Sequence, residues 1–133
     1  MLEGHSVVCV RKDEARISDE RGIRPLLEMI GRGESLRGFC VADKIVGKAA
    51  ALLFSILQPE ALYARVLSEG GEAVLEKFKI PYSCGTRTEK IVNRAGTDIC
   101  PMEKTVFNID DPQEALAALC ETAARLRAEA DNR

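Results

Sequence analysis

One histidine and no tryptophan among 133 residues remove whole classes of chemistry at the outset. His5 alone cannot supply the paired imidazoles of a common zinc site, nor most His-centred catalysis, and its N-terminal position reads as surface. Aromatic residues make up only 5%, and 19 Lys+Arg against 21 Asp+Glu leave a net charge of −2. Non-specific nucleic-acid binding needs a cationic surface and stacking rings, so nucleic acid is not an expected partner. A long apolar run is missing as well. The longest, Ile45 to Leu57, is interrupted by Gly47 and Lys48 and is too short to cross a hydrocarbon layer of roughly 30 Å. The opening MLEGHSVVCVRKDEAR lacks a cationic flank followed by a long apolar stretch, so neither a signal peptide nor a membrane association is expected.

The five cysteines are odd in number and contain no CxxC pair, which fits a reducing compartment better than a disulfide framework and gives a cytoplasmic expectation. Cys9, Cys40 and Cys120 lie among apolar neighbours and read as small core residues. Cys84 and Cys100 differ, each standing beside a turn signal, Cys84-Gly85 and Cys100-Pro101, and polar neighbours.

What is present suits one domain over residues 1–133 with a single core, its last few charged residues fraying: the chain is 46% hydrophobic and 30% charged. Ser6 to Val10 and Ala15 to Ser18 read as a hairpin around a charged turn, and Gly22 to Gly31 as a one-sided helix with Pro25 in its first turn. Leu36 to Val46 is strand-like around a break at Asp43-Lys44; Gly47 then opens KAAALLFSIL, apolar nearly all round and so buried on more than one side. Ala61 to Leu67 reads as a strand and Ser68 to Phe78 as a helix. From Ile80 the chain is polar and extended. Asp111, Pro112 and Glu114 form a helix-capping arrangement, followed by a stripe of Leu116, Leu119, Cys120, Ala123 and Leu126. Strands alternating with helices predict an α/β fold, a three-layer α/β/α sandwich.

The densest chemistry lies in Tyr82 to Val106, with two cysteines, two arginines, two lysines and two glutamates and no helical apolar stripe. Gly47-Lys48 is no phosphate-binding P-loop, because that pattern wants Gly where Ala42 stands and Ser or Thr where Ala49 stands. Lys48 is nonetheless unusual, since a cation at a helix start opposes the macrodipole.

The pieces VGKAAALL (Val46 to Leu53), ALYARVLSE (Ala61 to Glu69) and NRAGTDICPME (Asn93 to Glu103) resemble, in order and spacing, a bacterial and archaeal family, the domain of unknown function 1893 family. The resemblance covers about Ser6 to Val106 and implies a cytidine-deaminase-like architecture with a mixed sheet. Zinc deaminases start one helix with His-x-Glu or Cys-x-Glu and the next with Pro-Cys-x-x-Cys. Here the corresponding starts read Gly47-Lys48-Ala49-Ala50 and Ser68-Glu69-Gly70-Gly71, so no metal, cofactor or deaminase chemistry is expected. The resemblance still implies a pocket where two helix starts converge, whose free amides favour an anion.

Three functional readings follow. One is binding of a small anionic metabolite or nucleotide, with Gly47, Lys48, Ser68, Asn93 and Arg94 as contacts. Another is a thiol-dependent enzyme or sulfur carrier, with Cys100 as nucleophile and Glu103 moving a proton. The last is a structural or regulatory protein forming a homodimer through the Lys48 to Leu57 helix or a sheet edge.

Overall fold

The computed structural model describes residues 4–20, 22–92 and 98–131. Strands β1 (Val7–Arg11) and β2 (Glu14–Ser18) form the expected hairpin, with Arg11 opposite Glu14 and a two-residue loop in which Lys12 takes a positive φ of 48°. Helix α1 (Arg24–Gly31) carries Pro25 in its first turn, where the missing amide costs nothing. Strand β3 (Cys40–Val46) begins later than the apolar pattern suggests. Gly38 sits at φ +81°, and the Phe39 amide donates to the Leu36 carbonyl, closing a turn where the strand was expected to start. Nor does Asp43-Lys44 break it: the ladder pairs Asp43 with Ala64 and Ile45 with Val66.

Gly47 is followed by α2 (Lys48–Leu57), then β4 (Ala61–Ser68), α3 (Glu69–Lys77) and β5 (Tyr82–Thr88). The sheet order is β2-β1-β3-β4-β5. β1 is antiparallel to both neighbours and β3, β4 and β5 are parallel, so the sheet is mixed and the α/β sandwich expected from the sequence is present. Parallel crossovers are right-handed, and two that step the same way along a sheet lay their helices side by side; α2 and α3 pack in this manner.

Alternation along the strands sets one face apart. Val7, Cys9, Val41, Leu62 and Ala64 share the side that carries the core, whereas Ile17, Cys40, Tyr63 and Arg65 alternate onto the other and are exposed. Cys9 is therefore a core residue as expected, and Cys40 is not. Ala49 to Phe54 and Leu57 of α2 are all buried, because α2 lies against the sheet and is covered by α5 (Pro112–Asp131). This consumes within the chain's own core the apolar surface that suggested a dimer through α2. β5 remains an edge strand.

A helix not foreseen, α4 (Pro101–Thr105), precedes α5, and the turn signal Cys100-Pro101 is its start. Asp111 caps α5 as anticipated, accepting from the Glu114 amide at 2.9 Å. The buried stripe of α5 is rotated, however, to Ala115, Leu119 and Thr122. The Thr122 hydroxyl lies 2.8 Å from that of Thr105, which satisfies a polar group on a buried face, and Cys120 turns outward. The helix continues through the tail expected to fray, as far as Asp131.

Leu119 is fully buried. Leu119→Ala is expected to destabilise the protein by about 2–5 kcal/mol in urea unfolding, the range for truncating a buried leucine. A loss below about 0.5 kcal/mol would be the behaviour of a surface position.

Candidate functional site

The starts of α2 and α3 converge. A Cβ on Gly71 would lie 3.0 Å from the Gly47 carbonyl carbon and from the Val46 oxygen, so only glycine lets the first turn of α3 come this close. Both starts are already capped by the protein. Ser68 is buried and accepts the Gly71 amide at 3.0 Å, closing α3 in the usual way. At α2 the cap comes from far along the chain: the Lys48 and Ala49 amides each donate at 2.8 Å to Glu103 of α4, one to each carboxylate oxygen. An anion here complements the helix dipole. Gly47 is required for it, since a Cβ at that position would come 2.1 Å from Glu103 Oε1 and 2.9 Å from Ile91 Cγ1.

Lys48 is engaged within the protein. Its ammonium donates to the Phe107 carbonyl at 3.2 Å and pairs with Asp110 at 2.9 Å, holding the segment between α4 and α5. The hydrogen bond from Lys48, and its charge, hold the Asp110 carboxyl below the usual range. With Glu103 on one side and Asp110 on the other, a cation at the first position of α2 is no longer anomalous.

A cavity of about 1000 Å³ opens beside the α2 start, at the end of β3. Gly47, Cys100 and Glu103 line it; Lys48 and Ser68 do not. Its walls include Ile23, Ile45, Ala50, Ile91, Val92 and Met102, with Ile45 and Val92 about half exposed at 54% and 48%. Cys100 is half-buried, and its amide donates to the Ile91 carbonyl at 3.0 Å. Asn93 and Arg94, expected as contacts, lie outside the described residues.

Asp43 also lines the cavity. It shares the core face of β3 with Val41, is only 6% exposed, and accepts a long bond of 3.4 Å from the Ile45 amide. Among the described residues no lysine, arginine or histidine pairs with it. Burial pushes its carboxyl from 3.8 up to about 7, opposed by the Ile45 and Lys44 amides. Burial, and then Asp43 itself, pushes the neighbouring Cys9 thiol up to about 11, so Cys9 stays protonated and inert. The signal for Asp43 was legible: at period two it falls on the same face as Val41, a charge where the strand should be apolar. Among the described residues, no three His, Cys, Asp or Glu side chains gather in a way that could hold a metal ion.

Two outcomes follow. If Gly47 exists to admit the Glu103 cap, Gly47→Ala and Glu103→Ala should each cost on the order of 1–2 kcal/mol or more and be strongly non-additive, because either one breaks the same contact; a double-mutant cycle by urea unfolding reads this. The second concerns pH. A carboxyl whose folded pKa is raised contributes stability below its unfolded value, and loses it as pH climbs from 3.8 through about 7. Asp43→Asn should therefore gain on the wild type progressively between pH 4 and pH 8, as thermal unfolding at the two ends of that window would register. A difference independent of pH would place a solvated carboxylate there.

Similarity to known proteins agrees with the motifs. No curated protein matches. A crystal structure of a DUF1893 family protein from Thermotoga maritima superposes with a TM-score of 0.83 at 27% identity, covering 90% of this chain and 81% of that one. The family profile described as "Domain of unknown function (DUF1893)" matches residues 1–122. On this evidence the chain belongs to the DUF1893 family.

Proposed function

We propose that the protein is a binding domain for a small organic molecule, held in the cavity between the end of β3, the α2 start and α4. The observation that carries this reading is the cavity's make-up: about 1000 Å³, mostly apolar walls, and a small number of charged groups among them, Asp19, Asp43, Lys44 and Glu103. Ligand pockets are built in this way and fall in roughly the 300–1,000 Å³ range. The anionic metabolite or nucleotide suggested by the converging helix starts is disfavoured. Glu103 already takes the α2 amides, and Lys48 is committed to Phe107 and Asp110.

The thiol-enzyme reading is weaker for a related reason. Nucleophilic thiols are activated by nearby cations, whereas Asp19, Asp43 and Glu103 line this cavity against Lys44 alone among the described residues. The cytidine-deaminase-like likeness supports a pocket at this end of the sheet, without the metal chemistry.

A thermal-shift screen over neutral, cationic and anionic compounds up to nucleotide size tests the proposal. At least one class should raise the melting temperature by mass action, and Ile45→Gln at the cavity mouth, which removes apolar surface without adding charge, should diminish that rise while leaving the unliganded melting temperature within a few degrees. Stabilisation by no class, or stabilisation indifferent to Ile45→Gln, would count against this cavity.

A further inference from the structure

Asp19 lies 2.6 Å from the His5 ring nitrogen, and Glu103 is matched by two amides and the positive end of α2. Lys44 lines the cavity too, but it forms no ion pair with Asp43. Asp43 is thus the charge left without a counter-charge among the described residues, in a place almost closed to water. A buried carboxylate in that situation is costly, and a partner of opposite charge recovers most of what burial takes.

Resting on the reading of this cavity as a binding site, we propose that its ligand presents a cationic hydrogen-bond donor, an ammonium or amidinium group, to Asp43, with an apolar body against Ile45, Ile91 and Val92. Each part has its counterpart in the cavity wall. Beyond the Ile45 and Lys44 amides, no described residue donates to the carboxylate, which leaves it acceptor lone pairs for a ligand, and the half-exposed Ile45 and Val92 gain cover only when something apolar lies against them. An anionic head group in the same place would meet Asp43 and Glu103 together.

Four compounds of one shape and different charge separate the possibilities: benzamidine, benzylamine, benzyl alcohol and benzoate, each titrated against the whole chain by calorimetry or NMR shift. Benzamidine and benzylamine should bind more tightly than benzoate by roughly tenfold or more, which is one step of about 1.4 kcal/mol. Asp43→Asn should remove that preference, bringing benzamidine and benzylamine to within about threefold of benzoate. Benzoate binding as tightly as benzamidine, or a cation preference that survives Asp43→Asn, would overturn the cationic ligand and leave the cavity a binding site. Failure of all four to bind at millimolar concentration would count against both. The comparison within the wild type stands by itself should the Asn variant fold poorly.

Discussion

The Glu103 carboxylate on the first amides of α2 is the contact on which the site end of the molecule depends. It joins residues 54 and 55 positions apart, and both of its oxygens are used. Three otherwise odd features follow from it. Gly47 must lack a side chain to admit it, Lys48 can sit at a helix start because two carboxylates flank it, and α4 is fixed over the end of β3 despite being one turn long. An isolated helix of that length would not form in water. Its place is held by this cap, by Thr105 against Thr122 and by Lys48 on the Phe107 carbonyl.

The same contact changes what the converging helix starts can do. Free amides at a helix start attract anions, but only while they are free. Ser68 and Glu103 fill both places with the protein's own oxygens, so the dipoles stabilise the fold instead of a ligand. What remains open beside them is an apolar cavity with a buried carboxylate on its wall, whose electrostatic preference is of the opposite sign. Retaining Asp43 there costs stability near neutral pH, and such costs collect at sites of binding or chemistry.

Local patterns were enough for most elements, because their signals are short-range. Lys48–Leu57 followed from Gly47 and an unbroken apolar run, the hairpin from two β-branched stretches around a charged turn, and the α5 start from Asp111-Pro112. The misses occur where a side chain's fate depends on a distant partner. Thr122 is buried because Thr105 meets it, which rotates the stripe and turns Cys120 outward; Gly38 delays β3 by adopting a left-handed conformation that spacing alone does not reveal.

For this protein, then, the order of strands and helices apart from α4, and the capping of α5, were written in the sequence, since each depends on residues within one or two turns of one another. The site was decided by tertiary structure. Gly47, Cys100 and Glu103 line one cavity, and only folding shows that Glu103 is a cap, that Lys48 and Ser68 are spent on the protein itself, and that Asp43 has no counter-charge among the described residues. Partner choice among charges depends on distances across the fold and on exclusion of water, and neither is encoded in the spacing of residues along the chain.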